Sequence, residues 1–194
     1  NPKSPISEAF RTLRTNIQFS SIDKPIRSIV ITSSGPGEGK STVSINIAAA
    51  IAQAEKKVLL IDCDLRKPTL HKTFNMSSLK GLTNILVENI DYKDVVFTDQ
   101  EIEGLDIIAS GPVPPNPAEL LGSNRMKSFI EMMKDIYDMV ILDTPPVGLV
   151  TDSALLSTIV DGTILVCSVG EADINGTKRA KDLLDKVKAN ILGV

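Results

Sequence analysis

Tryptophan is absent from this 194-residue chain, and its aromatic complement is five Phe and two Tyr. Nor is there an excess of positive charge: 21 Lys and Arg stand against 24 Asp and Glu, a net charge of −3. Nucleic acid is therefore not expected as the main partner, because such surfaces combine a basic stripe with stacking side chains. No apolar run approaches the roughly 20 residues of a membrane-spanning helix, and no signal peptide is visible. Cysteine occurs twice, as Cys63 and Cys167. Both fall in apolar runs that read as buried strands, so they are expected to be reduced core residues of a cytosolic protein.

What is present suits a folded chain. Hydrophobic residues make up 42% and charged residues 23%, well outside the disordered regime. No internal repeat or low-complexity segment divides it, so residues 1–194 are expected to form one domain with a sizeable core. The chain starts at Asn1 without Met and stops within the apolar "NILGV". It is therefore expected to be a portion of a longer polypeptide, truncated at both ends.

The periodicity alternates between two kinds of element. Ile6, Phe10, Leu13 and Ile17 place an apolar stripe on a helix over 6–19. Residues 27–33 read as a strand, 41–54 as an amphipathic helix, and 57–62 as a second strand buried on both faces. Weak helices are expected within 69–74, 81–88 and 91–97. Further strands are expected at 105–110, 137–143, 162–169 and in the final "ILGV". Helices are expected at 118–121, 125–136, 151–159 (with an N-cap at its start) and 172–188. Strands alternating with helices predict an α/β fold, a mainly parallel sheet flanked by helices.

Between the first strand and the next helix lies Ser34-Gly35-Pro36-Gly37-Glu38-Gly39-Lys40-Ser41. This is the phosphate-loop pattern with Ser in place of the first Gly. Glycines let successive N–H groups turn inward around a phosphate, and the helix behind adds partial positive charge. Gly35, Pro36, Gly37, Glu38, Gly39, Lys40, Ser41 and Thr42 are thus the expected nucleotide-binding residues. Lys40 neutralises the β- and γ-oxygens and Ser41 ligates Mg²⁺. A dinucleotide-binding turn does not call for Lys-Ser at the helix start.

Carboxylates end two other strands, on the edge where open α/β sheets bind ligands. "MVILDTPP" closes on Asp143, an apolar run ending in a metal-holding acid. "LLIDCDLRKP" carries Asp62 and Asp64, which repel one another unless a cation compensates. At a strand end one of these can meet Mg²⁺ while the other faces an acceptor. Arg66 and Lys67 add positive charge nearby, or serve as solvated surface. His71, after "KPTL", reads as a helix-surface residue, and no metal beyond Mg²⁺ is indicated.

In four boxes, taken in order, the chain resembles the bacterial tyrosine kinases of capsular and exopolysaccharide biosynthesis. These are "SSGPGEGKST", "VLLIDCDLRKPT", "SGPVPPNPAELL" and "YDMVILDTPPV". Upstream, "SEAFRTLRTNI" is similar to that family's E-x-x-R-x-x-R oligomerisation motif, at Glu8, Arg11 and Arg14, on a helix within 1–22. The resemblance implies a three-layer P-loop sandwich akin to septum-site and plasmid-partition ATPases. It implies transfer of the ATP γ-phosphoryl group to tyrosine, with ATP and Mg²⁺ as cofactors. Lys40, Asp62 and Asp64 would be catalytic, Asp62 acting on the tyrosine hydroxyl. Ser41, Asp64 and Asp143 would form the metal site. It further implies a homo-oligomeric ring, tyrosine-containing protein substrates, a membrane-embedded adaptor with a cytoplasmic tail, and a place in the cytoplasm at the inner face of the membrane.

One family feature, a C-terminal tyrosine cluster, is missing: Tyr92 and Tyr137 are the only tyrosines. Tyr137 reads as structural, and the missing cluster is ascribed to truncation. Two rival functions stand beside the kinase. A partition or septum-placement ATPase normally carries a second lysine early in its phosphate loop, where Gly35 stands here. A regulatory subunit that binds nucleotide without catalysis has no need of Asp62, Asp64 and Asp143 together.

Overall fold

The computed structural model describes residues 4–21, 24–170 and 173–194. Helix α1 (Pro5–Phe19) opens with Ser4, whose hydroxyl caps the Ser7 N–H, and with Pro5 in the first turn, where a missing N–H does no harm. The strands are β1 (Ser28–Ser33), β2 (Val58–Asp62), β3 (Val96–Thr98), β4 (Leu105–Ile108), β5 (Met139–Asp143), β6 (Gly162–Val166) and β7 (Ile191–Gly193). Between them run α2 (Lys40–Ala52), α3 (Leu70–Thr73), α4 (Leu82–Glu88), α5 (Pro117–Leu121), α6 (Asn124–Ile136), α7 (Asp152–Ser157) and α8 (Ile174–Lys186).

The sheet order is β3-β4-β2-β5-β1-β6-β7, parallel throughout except for β3 against β4. Successive side chains on a strand face opposite ways, and each central strand is apolar on both faces. Ile29 and Ile31 of β1, Leu60 of β2 and Ile141 of β5 pack with Ile17, Ile47, Ile51 and Leu70 of α1–α3. Val30, Leu59, Ile61, Val140 and Leu142 pack the other way, against Leu82, Leu86, Phe129, Ile130, Met133 and Leu156. Helix α8 adds Ala180 and Leu184, which meet Leu165 and Val147. The result is the expected three-layer α/β sandwich. Among the described residues no helix is long and apolar enough to cross a membrane.

Several expectations change in detail. The helix expected within 91–97 is a single 3-10 turn, Tyr92–Asp94, followed by β3, which makes the sheet seven-stranded rather than six. Three residues carry too little periodicity to mark a strand, and β3 exists because Phe97 and its neighbours pair with β4. Tyr137 closes α6 instead of starting β5. Its hydroxyl donates to Asp106 Oδ2 at 2.7 Å, and burial together with that bond pushes its pKa well up. Cys63 and Cys167 each lie one residue beyond a strand; both are free, the first buried and the second half-buried. The last helix spans Ile174–Lys186, and residue 172, where it was expected to begin, lies outside the described residues.

Candidate nucleotide site

β1 runs into the phosphate loop at the carboxyl edge of the sheet. Gly37 and Gly39 have φ of 79° and 85°, the left-handed region that favours glycine. A Cβ at either would meet nothing within 4 Å, so conformation rather than crowding calls for glycine there. α2 then begins at Lys40 without a side-chain cap, which leaves its first N–H groups free for an anion. The Glu38 carboxylate accepts from the Ser34 hydroxyl and, at 3.0 Å, from the Gly35 N–H, bracing the loop. Gly148, in the segment after β5, presses on the loop from outside: a Cβ there would stand 2.3 Å from the Ser34 carbonyl oxygen.

β2 and β5 are neighbours, and their last residues, Asp62 and Asp143, are paired in register. Neighbouring strands lie about 4.8 Å apart, so the two acids stand side by side. Asp62 is fully buried. Its Oδ2 accepts from the Thr69 and Leu70 N–H groups, both at 3.0 Å, and its Oδ1 from the Asp64 N–H at 3.3 Å. Burial pushes its carboxyl up to about 7, with Asp143 and Asp64 adding to the rise and the Leu70 and Thr69 amides opposing it. Burial also raises Asp143, against the pull of the Lys40 ammonium and the Ser41 and Ser44 hydroxyls. Its Oδ1 accepts from Ser44 Oγ at 3.0 Å, while its Oδ2 is buried with no hydrogen-bond partner. Asp64 takes the Lys67 N–H on Oδ1 at 2.9 Å and turns Oδ2 toward Lys40 Nζ, 3.6 Å away. Cys63 lies among the three acids, and burial followed by their charge drives its thiol pKa well up.

Lys40, Asp62, Asp64 and Asp143 are thus brought together, with Ser41 in the first turn of α2. Among the described residues no three His, Cys, Asp or Glu side chains gather closely enough to hold a metal ion alone. Mg²⁺ keeps most of its shell as water and phosphate oxygen and takes one or two carboxylates from protein. The orphaned Asp143 Oδ2 is the kind of oxygen such an ion would engage. A concavity of about 750 Å³ beside α4 and α6, lined by Ile85, Tyr92, Phe129 and Met132, contains none of these residues.

Other side chains depart from the sequence reading. Arg66 is neither free nor simply solvated: its Nε and Nη2 donate to Asp152 Oδ2 and Oδ1 at 2.9 and 3.0 Å. Asp152 starts α7, where the expected N-cap, Thr151, makes no side-chain cap bond. Ser44, one turn beyond Lys40, escaped notice although its spacing could have flagged it. Lys67 is exposed, and His71 is half-buried with its Nδ1 shut away from any partner. On α1, Glu8 and Arg11 form a 2.6 Å ion pair, and Arg14 donates to the Ala50 carbonyl at 2.9 Å, on α2 of its own chain.

Comparison with known proteins agrees with this arrangement. Residues 26–192 match the family model described as an AAA domain. The tyrosine-protein kinase YwqD of Bacillus subtilis is 47% identical over 192 residues, which cover 99% of this chain and 81% of that protein. Among solved structures, the chimerical protein CapA2B2 superposes with a TM-score of 0.95 at 43% identity, covering 100% of this chain and 85% of the other. The kinase domain of Escherichia coli tyrosine kinase ETK gives 0.94 at 37%, covering 100% and 75%. The septum site-determining protein MinD of Pyrococcus horikoshii shares the fold alone, with a TM-score of 0.70 at 24% identity over 85% of this chain and 67% of the other. With its phosphate loop, its two acid-tipped strands and relatives of this closeness, the chain belongs to the family of bacterial protein-tyrosine kinases.

Proposed function

We propose that residues 1–194 act as one ATP-dependent kinase domain that transfers the γ-phosphoryl group to tyrosines of protein substrates, first among them a tyrosine cluster on the tail of a neighbouring subunit. The observation that carries this reading is the in-register pairing of Asp62 and Asp143 beside a Lys40–Asp64 contact of 3.6 Å. The loop amides of Gly37 to Thr42 cradle the phosphates, while Gly35 and Pro36 shape the turn. Lys40 draws charge from the β- and γ-oxygens. Ser41, Asp64 and Asp143 would hold Mg²⁺, which would supply positive charge to offset that developing on the phosphate oxygens. Asp62 accepts the phenolic proton as the tyrosine Oη–P bond forms and the bond from the γ-phosphorus to the bridging oxygen breaks. The remaining product, ADP, carries the displaced oxygen. Catalysis here is largely positioning and charge neutralisation.

Glu8, Arg11 and Arg14, on the helix within 1–22, are proposed to contact the next subunit of a ring; residues 1–3 and 22 lie outside the described residues. Glu8 is 69% exposed and Arg11 33%, which favours the reading, whereas Arg14 is partly engaged by its own chain. A membrane-embedded adaptor would hold the kinase at the cytoplasmic face of the membrane and place it in capsule or exopolysaccharide synthesis. The relatives' names support the tyrosine-kinase reading itself.

Radiolabelled ATP and a tyrosine-containing tail peptide separate kinase from rivals. Phosphotyrosine that vanishes in Lys40→Met and Asp62→Ala is the expected outcome. Phosphate release without peptide labelling would identify a partition-type ATPase, and binding without turnover a regulatory subunit.

A further inference from the structure

We infer that the Arg66–Asp152 fork is a positioning device for the site: it fixes Asp64 opposite Lys40 by tying the segment after β2 to the first turn of α7. This rests on the reading of Asp64 as an acid of the magnesium–nucleotide site.

Asp152 is fully buried, and the Arg66 guanidinium meets both of its oxygens. A buried carboxylate stripped of its partner is strongly unfavourable, so the fork holds Arg66 in one place. A planar guanidinium also sets direction as well as distance, which an ammonium does not. The residue between, Leu65, is fully buried too. Asp64 is therefore followed by two anchored residues, Leu65 and Arg66, and further tied through Oδ1 to the Lys67 N–H. Its remaining oxygen has little choice but to face Lys40.

The other end of the fork is equally fixed. Ser153, next to Asp152, donates through its hydroxyl to the Pro145 carbonyl, two residues beyond Asp143. Ser157 in turn donates to the Ser153 carbonyl at 2.7 Å. A continuous path thus runs from the end of β5 through Pro145, Ser153, Asp152 and Arg66 to Asp64. The two acid-bearing loops are held to each other by groups that touch no reacting atom. Arg66 is 40% exposed, so mere solubility would be served as well by lysine.

The test uses Arg66→Lys, Asp152→Asn and the double variant of the full chain. Thermal melts establish folding. Binding of a fluorescent ATP analogue is titrated with Mg²⁺, and transfer to a tyrosine peptide is resolved into kcat and KM. The half-saturating Mg²⁺ concentration is expected to rise at least fivefold, with magnesium-free nucleotide binding unchanged. kcat falls tenfold or more at unchanged peptide KM, and the double variant is no worse than the more impaired single. Folded variants with parental magnesium dependence and kcat would overturn the inference, as would single effects that multiply in the double. If Asp152→Asn does not fold, Arg66→Lys, at a partly exposed position, decides alone. If the parent protein transfers no phosphoryl group, the kinase reading fails by itself and the magnesium titration still judges the fork.

Discussion

Asp62 accepts three backbone N–H groups and still titrates at about 7, because burial outweighs them. As pH rises from about 4 to 7 the unfolded chain gives up this proton while the folded chain keeps it. Stability of the nucleotide-free protein therefore falls across that window, by on the order of 4 kcal/mol in total from this group. Asp62→Asn should flatten the fall, as seen in melting temperatures recorded from pH 4.5 to 7.5 without nucleotide, while lowering phosphoryl transfer by about a hundredfold or more. Tyr137 is governed by the same physics with a different outcome. Only 5% exposed and bonded to Asp106, it cannot reach an active site, so phosphotyrosine mapping should leave it unlabelled. Tyr137→Phe should cost about 1 kcal/mol in a denaturant titration. The acids themselves were legible, since each ends an apolar run. The Arg66–Asp152 pair was not, because it joins residues 86 apart and no local pattern links them.

At the scale of elements, the sequence reading held for the long runs and also for the short α3, α4, α5 and β7, and it failed at β3. The runs of β1, β2 and β5 were plain because they are buried on both faces; the stripe of α1 packs through Phe10, Leu13 and Ile17, while its first member, Ile6, is exposed. β3 was misread because its three residues follow Tyr92–Asp94, and its strand character comes from pairing with β4. Contact between the phosphate loop and the segment after β5 was equally invisible. It rests on Gly148, where a methyl group would overlap the Ser34 carbonyl. Gly148→Ala should push the loop out of shape and weaken nucleotide binding about tenfold in an equilibrium titration. Gly193→Ala, where a Cβ meets nothing within 4 Å, should leave it unchanged.

For the whole molecule, the sheet order matters because β5 lies between β1 and β2. That insertion brings the phosphate loop and both acid-tipped strands to one edge, and alternating strands and helices alone do not specify it. A ligand that joins these three segments stabilises the entire fold. Mg²⁺–ATP at a hundred times its Kd should add about 2.7 kcal/mol, or about 5–10 °C in Tm for a chain of this size. Lys40→Met should abolish that gain in a thermal-shift measurement. The lodging of Cys63 among three carboxylates has its own consequence. An alkylating reagent needs an accessible thiolate, which this cysteine is denied on both counts, whereas Cys167 lies half-open near β7. Native protein should take up one maleimide per chain, so that a fluorophore can be installed at a single point without any mutagenesis.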